Sequence, residues 1–412
     1  MKVIVTIFLT LAIYSGIFAQ TPVETHGALS VDGNQIVNKN GAVVSFAGNS
    51  LFWSNNGWGG ERFYNPSVVS WIKSDWNATI VRAAMGVEEN GGYISNPSNK
   101  QKVITVVDAA IEQGLYVIID WHSHHAEDYQ NEAIAFFQEM ANRYKAYDNI
   151  IYEIYNEPLN NTSWPNTIKP YSEAVIAAIR AIDPSNLIIV GSPTWSQDVD
   201  VVSFNPIEGY SNIAYTLHFY AGTHGQFLRN KAQTALDNGI ALMATEWGTV
   251  NANGDGAVDE NSVNEWMDFL CENNISHCNW ALNDKVEGAS VLKSGSNING
   301  NWTNSDLTTS GILVKDIIEN WNSNCSLISS EEYHQLEYGI ELYPNPAKDV
   351  LFLDVNDGLE LSSITMFDVI GNMILEINNP ENTIHLNSLD TGFYIVDIRT
   401  NRGQVIEKLI IE

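Results

Sequence analysis

The chain has 412 residues, of which 44% are hydrophobic and 17% charged, a composition typical of a folded globular protein. Its formal net charge of -29 at pH 7 argues against nucleic acid as a partner, because no excess of Lys and Arg is available to displace phosphate counterions. Twelve Trp and 17 Tyr instead favour a surface on which flat, uncharged groups such as sugar rings stack.

The first 19 residues have the layout of a secretory signal peptide. One lysine precedes an apolar run, and small residues stand near Ala19, where such a peptide would be cut. We therefore expect a signal peptide at residues 1–19 and a location outside the cytoplasm. No later stretch is long and apolar enough to span a bilayer, so no transmembrane segment is expected in the mature chain.

The next part of the chain alternates strand-like and helix-like stretches. Two turn signals, Asp32-Gly33 and Asn40-Gly41, predict a hairpin that leads into a strand. Eight β-branched runs predict strands: VVSFAGN, ATIVRAAM, LYVIIDWH, NIIYEIYNEP, LIIVGSP, IAYTLHFY, IALMATEWG and SHCNWALND. Amphipathic stretches between them predict helices, among them PSVVSWIKSDW, KQKVITVVDAAIEQG, EAIAFFQEMANRYKAY, YSEAVIAAIRAID and DENSVNEWMDFLCENN.

This alternation predicts an α/β fold with a parallel sheet. Eight strands are the number that closes a (β/α)8 TIM barrel, which we expect over residues 20–325. Several predicted helices end at stop signals, namely Gly114, Asp183-Pro184 and Asn238-Gly239. An open doubly wound sheet is the alternative, but no Gly-rich phosphate loop follows the first strand.

The remainder of the chain predicts a second, smaller domain. Residues 326–339 are polar and are interpreted as a linker, and residues 340–412 show the period-two alternation of a small β-sandwich. Three cysteines, Cys271, Cys278 and Cys325, permit one disulfide bond without identifying its two members.

Polar and aromatic residues stand at the ends of the predicted barrel strands, where functional residues of such barrels are found. They are Arg82, His122, Asn156, Glu157, His218, Tyr220, Glu246 and Trp280. Glu157 and Glu246 end the fourth and seventh strands, so we expect their carboxylates to face each other across the barrel mouth. Two carboxylates about 5 to 5.5 Å apart can hydrolyse a glycosidic bond with retention of configuration.

The motifs IYEIYNEP and MATEWG resemble the acid/base and nucleophile motifs of glycoside hydrolase family 5, whose cellulase-type members are retaining (β/α)8 enzymes. The resemblance extends over about residues 25 to 322. It implies that Glu157 is the acid/base and Glu246 the nucleophile. Glu157 would then need a raised pKa, whereas Glu246 would need to stay ionised.

The same resemblance implies roles for further residues. Arg82 would donate hydrogen bonds to the nucleophile, and Asn156 would bind the sugar 2-hydroxyl. His122 and His218 would line the reactive subsite, and Tyr220 would lie beside the nucleophile. The substrate-binding residues implied are Trp53, Tyr93, Trp195, Trp280, Lys285 and Glu287, although core packing is an equal alternative for Tyr93.

The histidine cluster of DWHSHH also suggests a metal site. His122, His124 and His125 have Asp120 or Glu127 nearby, but the spacing of known zinc motifs is absent. We therefore expect no metal and no cofactor.

The C-terminal stretches YPNPAKDVLFL, FDVIGNMI, GFYIVDI and KLIIE resemble the sorting domain of the type IX secretion system. The resemblance implies passage through that machinery to the outside of the cell or to its surface. A cellulose-binding module is the alternative, but residues 340–412 contain no Trp.

Taken together, the sequence predicts a secreted, monomeric, retaining endo-β-1,4-glucanase that acts on cellulose-type β-glucan. Within the same barrel family, a β-mannanase, a xyloglucanase or a mixed-linkage β-glucanase remains the alternative. A non-catalytic carbohydrate-binding barrel would be expected to lack one of the two carboxylates, and this chain has both.

Overall fold

A computed structural model describes residues 20–330, 340–355, 361–368, 372–378, 380, 382–387, 389–400 and 403–411. The predicted signal peptide lies outside these residues, as does most of the predicted linker. The chain divides into two compact units, Met1–Asn322 and Ser323–Glu412. The helix Thr309–Ser330 extends beyond Asn322, so the linker predicted from residue 326 begins inside a helix.

The first unit is a closed barrel of eight parallel strands, which confirms the predicted (β/α)8 fold. A short hairpin of β1 (Ser30–Asp32) and β2 (Gln35–Val37) precedes it. The barrel strands are β3 (Ala47–Leu51), β4 (Ile80–Gly86), β5 (Tyr116–His122), β6 (Ile150–Glu153), β7 (Leu187–Val190), β8 (Ile213–Tyr220), β9 (Leu242–Gly248) and β10 (His277–Leu282). Their spatial order follows the chain, and β10 pairs with β3 to close the barrel.

Helices connect the strands, as the sequence predicts. They are α1 (Pro22–His26), α2 (Pro66–Trp76), α3 (Lys100–Gln113), α4 (Gln130–Tyr144), α5 (Lys169–Arg180), α6 (Pro193–Ser196), α7 (Val199–Ser203), α8 (Gln226–Asp237), α9 (Glu260–Glu272) and α10 (Thr309–Ser330). Helix α2 shows how the sequence sets the bounds: the Asn65 side chain accepts from the amide of Val68, and Asn77 ends the helix in the left-handed region. Gly114 ends α3 in the same way, with φ of 68°.

The N-terminal end of the barrel is closed by apolar packing. Leu29 and Ile36 from the hairpin region pack in one buried cluster with Phe46, Ile80 and Tyr116, which stand before or at the start of barrel strands. The Tyr116 hydroxyl also donates to the carbonyl of Gly27 at 2.6 Å. Because this end is filled, a cleft can form at the opposite end, where the strands terminate.

Two of the three cysteines form a disulfide bond. Cys271 in α9 and Cys325 in α10 are disulfide-bonded, whereas Cys278 in β10 is a buried free thiol. The structure thereby identifies the pair that the sequence leaves open.

The second unit consists of two antiparallel sheets. One contains β11 (Ile340–Tyr343), β12 (Val350–Val355) and β15 (Thr383–His385); the other contains β13 (Leu361–Asp368), β14 (Met373–Asn378), β16 (Gly392–Thr400) and β17 (Gly403–Ile411). Side chains from both sheets, including Leu351, Leu353, Ile364 and Val396, form one buried cluster, as predicted for a β-sandwich. In the part of the chain that the structure describes, no helix is both long and apolar enough to cross a membrane.

Candidate active site

Two carboxylates meet at the C-terminal end of the barrel. Glu246 lies within β9, and Glu157 follows β6, whose ladder ends earlier than predicted, at Glu153. The backbone amides of Asn156 and Glu157 nevertheless donate to carbonyls of Trp121 and Ser123, so this segment stays fixed beside β5. One oxygen of Glu157 and one oxygen of Glu246 lie within 4.8 Å of each other.

That separation has a chemical consequence. Retaining glycosidases hold their two carboxyl groups about 5 to 5.5 Å apart, whereas inverting enzymes need about 6.5 to 9.5 Å to admit a water molecule. The spacing of Glu157 and Glu246 therefore suits direct attack by one of them on the anomeric carbon.

Glu246 is held by two donors. The Tyr220 hydroxyl donates to its Oε1 at 2.7 Å, and Nη1 of Arg82 donates to its Oε2 at 3.1 Å. Tyr220 ends β8, which pairs with β9, and Arg82 lies in β4 across the barrel. Only 4% of Glu246 is exposed, so both bonds act in a largely dry environment.

Arg82 is the centre of a buried ion-pair network. Its guanidinium contacts Glu153 at 2.7 Å, Asp120 at 2.9 Å and Glu246 at 3.1 Å, and also donates to Oδ1 of Asn156 at 2.6 Å. The predicted contact of Arg82 with Glu246 is therefore present, together with contacts to two further acids. A buried guanidinium is costly unless such partners surround it, which explains why one Arg serves several carboxylates.

Glu157 lies between two imidazoles. His218 Nδ1 is 2.9 Å from its Oε1, and His124 Nε2 is 3.1 Å from its Oε2. The main chain of His124 is itself held by Glu88, which accepts from its amide, and by Tyr155, which donates to its carbonyl. Both oxygens of Glu157 are therefore oriented by histidines on different strands or loops.

The charge state of this pair differs from the sequence-based expectation. Burial raises the pKa of Glu157, but hydrogen bonds from His124 and His218 outweigh it and lower the pKa to about 2. Burial lowers the pKa of His218, yet contacts with Glu153 and Glu157 raise it to about 9. Burial and the charge of Glu157 raise the pKa of Glu246. In the ligand-free site, these shifts favour a proton on the imidazole of His218 over a proton on Glu157.

An aromatic group surrounds His122. The Trp280 ring stacks on the His122 ring at 5.0 Å with an interplanar angle of 1°, and Trp53 meets His122 edge-on at 4.2 Å. Trp53 also lies 5.3 Å from Trp58. His122 Nδ1 is 2.7 Å from Asp120, and burial together with the charge of Arg82 holds its pKa well below 6.5, so the ring is neutral.

A cavity of about 470 Å³ lies over the two carboxylates. Of the predicted site residues, it brings together Glu157, Trp195, His218, Tyr220 and Glu246. Trp195 is 38% exposed on a short segment, Thr194–Ser196, whose φ angles of 54° to 59° are all left-handed. A β-branched residue in that region is strained, and such strain is typical of functional segments.

The other predicted substrate-binding residues are not among those that line this cavity. Lys285 lines a smaller pocket of about 160 Å³ beside Trp58 and forms an ion pair with Glu287 at 2.5 Å. Tyr93 is half-buried and meets the rings of Trp121 and Phe136 edge-on.

Several residues near the carboxylates were absent from the predicted catalytic set. His124 appeared only in the metal interpretation, and Glu153 and Thr245 did not appear at all. His124 could have been suspected of belonging to the site because it stands two residues after His122. Glu153 gives no such signal, because in the sequence it looks like any inward-facing residue of a strand. Glu157, His218 and Glu246 place one atom each within 4.8 Å of one another and could together contact a cation, although all three side chains already take part in the hydrogen bonds described above.

Comparison with known proteins agrees with this geometry. Endoglucanase Z of Dickeya dadantii is 61% identical over 294 residues, which cover 71% of this chain and 66% of that protein. A solved structure from Cytophaga hutchinsonii is 50% identical with a TM-score of 0.72, covering 76% of this chain and all of that chain. The catalytic domain of Thermobifida fusca endoglucanase Cel5A in complex with cellotetraose is 32% identical, with a TM-score of 0.69 over 73% of this chain and all of that one.

Two family models match separate parts of the sequence. The model described as cellulase, glycosyl hydrolase family 5, matches residues 37–286, which contain both carboxylates. The model described as secretion system C-terminal sorting domain matches residues 341–412, the β-sandwich unit. The chain therefore belongs to the cellulase family, glycosyl hydrolase family 5, and carries a C-terminal secretion sorting domain.

Proposed function

We propose that this protein is a retaining endo-β-1,4-glucanase in which Glu246 is the nucleophile and Glu157 the acid/base. The observation that carries the proposal is the pair of carboxylate oxygens within 4.8 Å of each other at the barrel mouth. Two donors orient Glu246, as a nucleophile requires, and two imidazoles surround Glu157, as a proton-transferring group requires.

The reaction proceeds in two steps. In the first, a Glu246 oxygen attacks the anomeric carbon while Glu157 protonates the leaving oxygen, which gives a glycosyl ester. Ester formation removes the negative charge of Glu246, which is one of the charges that raise the pKa of His218. In the second step, Glu157 takes a proton from water as the water attacks the same carbon and the ester bond breaks.

The proton must reach Glu157 before the first step. Contacts with Glu153 and Glu157 raise the pKa of His218, so this imidazole can hold the proton 2.9 Å from Glu157 Oε1. A hydrogen bond of this length is a short path for transfer once a glycosidic oxygen is within reach of Glu157. His218 therefore serves as the proton reserve of the acid/base.

The substrate preference is inferred from the aromatic surface and from relatives. Trp195 lines the cavity over the two carboxylates, and the Trp53 ring lies against His122. Such rings can stack on glucosyl units. The named relatives are endoglucanases, and one related domain binds cellotetraose. β-Mannan, xyloglucan and mixed-linkage glucan remain the competing substrates because sugar hydroxyl geometry decides among them. The sorting domain supports action outside the cell or at its surface. We expect the enzyme to act as a monomer.

Product analysis tests both parts of the proposal. The purified enzyme is incubated with cellohexaose, lichenan, xyloglucan and glucomannan, and products are identified by mass. Internal cleavage of cellohexaose is expected, whereas release of mannose oligomers alone would overturn the glucanase assignment.

Variants test the catalytic roles. Glu246→Gln and Glu157→Gln should each lower kcat on carboxymethyl cellulose by about 10²-fold or more. Glu208→Gln, which alters an exposed Glu before β8 at the closed end of the barrel, is the matched control and should keep full activity. Unimpaired hydrolysis by either active-site variant would contradict the assignment.

A further inference from the structure

A buried chain of hydrogen bonds leads from the barrel interior to Glu157. Glu153 Oε1 accepts from the Thr245 hydroxyl at 2.5 Å, and Thr245 Oγ1 is 2.9 Å from His218 Nε2. His218 Nδ1 then faces Glu157 Oε1 at 2.9 Å. Glu153 and Thr245 are both 0% exposed and His218 is 1% exposed, so no bulk water competes for these contacts.

The direction of each hydrogen bond follows from chemistry. Arg82 Nε donates to Glu153 Oε2 at 2.7 Å in a fully buried ion pair, so Glu153 is a carboxylate and can only accept. The Thr245 hydroxyl has one proton and must donate it to Glu153. Its oxygen then accepts from His218 Nε2, and that nitrogen must therefore carry a hydrogen.

This direction fixes what the other ring nitrogen can do. With Nε2 protonated, Nδ1 of His218 either holds one further proton or accepts one from Glu157. In both cases exactly one exchangeable proton lies between Nδ1 and Glu157 Oε1. A ring protonated only at Nδ1 would instead donate permanently to Glu157 and keep it ionised.

We propose that Thr245 and Glu153 are positioning residues for acid/base catalysis: through their hydrogen bonds they keep His218 protonated at Nε2, so that Nδ1 and Glu157 share the catalytic proton. This inference rests on the proposed function, in which Glu157 is the acid/base. Neither residue reaches the substrate in this role, because both act through His218.

One proton moves along this path in each step. In glycosylation, the shared proton passes from His218 Nδ1 to Glu157 and on to the leaving oxygen, while the glycosidic bond breaks and the ester to Glu246 forms. His218 is left neutral, with its hydrogen on Nε2. In deglycosylation, water loses a proton to Glu157, the proton returns to Nδ1, and hydroxide replaces the ester at the anomeric carbon.

Other titratable groups also act on the Glu157–His218 pair, and the variants below leave them unchanged. They are Asp120, His122, His124, Glu153, Tyr220, His224 and Glu246.

The experiment compares Thr245→Val with Thr245→Ser on two aryl β-cellobiosides. Valine matches the shape of threonine but lacks the hydroxyl, whereas serine keeps it. With phenyl β-cellobioside, whose leaving group needs protonation, kcat/KM of Thr245→Val should fall by about 10- to 100-fold. With 2,4-dinitrophenyl β-cellobioside, whose leaving group does not, it should fall less than about threefold. Thr245→Ser should stay within about threefold of wild type on both substrates.

The pH profile gives a second readout. Without the Thr245 hydroxyl, His218 can place its hydrogen on Nδ1 and stabilise ionised Glu157, so the basic limb of kcat/KM should move to lower pH in Thr245→Val. Thr249→Val is the matched control, because Thr249 is equally buried and its hydroxyl bonds Ser310 at 2.8 Å, so it takes no part in the hydrogen bonds that lead to Glu157. It should show neither the leaving-group effect nor the shift.

The outcomes separate this inference from the function on which it rests. An equal loss of kcat/KM on both substrates with an unmoved basic limb in Thr245→Val would overturn the positioning role. Glu157→Ala, assayed in parallel, must itself lose more activity on the phenyl substrate. If it does not, the acid/base assignment fails, and the positioning role fails with it.

A direct measurement covers the case in which Thr245→Val does not fold. In the wild-type enzyme labelled with 15N-histidine, NMR should show the His218 ring protonated at Nε2. A ring protonated at Nδ1 alone would overturn the proposal.

Discussion

Replacing Tyr220 with Phe removes one of the two hydrogen bonds that stabilise ionised Glu246. The bond is 2.7 Å long and reaches a carboxylate that is 4% exposed, so its loss should cost about 1.5 to 3 kcal/mol. Since about 1.4 kcal/mol corresponds to one pKa unit, the pKa of Glu246 should rise by about one to two units. That pKa is already raised by burial and by the charge of Glu157.

The assay is the pH dependence of kcat/KM with 2,4-dinitrophenyl β-cellobioside, which reports nucleophilic attack without acid catalysis. The acidic limb should move to higher pH by about one to two units, and the plateau should fall by about 10- to 100-fold. Tyr116→Phe is the matched control, because Tyr116 is a buried tyrosine whose hydroxyl bonds Gly27 at the other end of the barrel. An acidic limb that stays in place in Tyr220→Phe would refute the view that this hydroxyl sets the ionisation of Glu246.

Three further predictions concern stability. Replacing Cys271 and Cys325 by Ser should lower the free energy of unfolding by about 4 kcal/mol, because the disulfide bond closes a loop of 54 residues (325 minus 271). Thermal unfolding of the wild-type protein with and without reductant, and of the variant, measures this loss. Arg82→Met should lower that free energy by about 3 to 5 kcal/mol by leaving buried carboxylates unpaired, whereas Arg62→Met, at a half-exposed ion pair, should cost less than about 1 kcal/mol in the same urea titration. Burial lowers the pKa of His277 to about 3, so between about pH 6.5 and 3 the unfolded chain binds a proton that the folded chain does not, and the free energy of unfolding falls as the pH falls. His277→Asn should reduce the slope of that free energy against pH by the equivalent of about one proton. An unchanged slope would contradict this prediction.

The sequence predicts the barrel and the positions of its carboxylates because both depend on local patterns. Eight apolar runs separated by amphipathic stretches give the number of strands. Because the strands are parallel, their C-terminal residues all lie at the same end of the barrel, the mouth. Glu246 follows from this rule before any resemblance is considered, whereas Glu157 stands four residues beyond the last residue of β6, Glu153. Helix stops such as Gly114 are equally local, since a left-handed φ favours glycine.

Other features depend on contacts between distant residues and are not visible in the sequence. His124 contacts Glu157 only because the fold brings two loops together. Glu153 and Thr245 are 92 positions apart in the sequence, and only the barrel places them in contact. The expected order of the two carboxyl pKa values was wrong for the ligand-free site for the same reason, since it considered burial but not the imidazole partners of Glu157. The disulfide partner of Cys271 likewise required the fold.

The most direct test of a retaining mechanism is the configuration of the first product. Hydrolysis of cellohexaose is followed by 1H NMR in the first minutes, before the new reducing end mutarotates. A direct attack by Glu246, 4.8 Å or less from Glu157, predicts that the β-anomer appears first and the α-anomer only later. Initial appearance of the α-anomer would contradict the account.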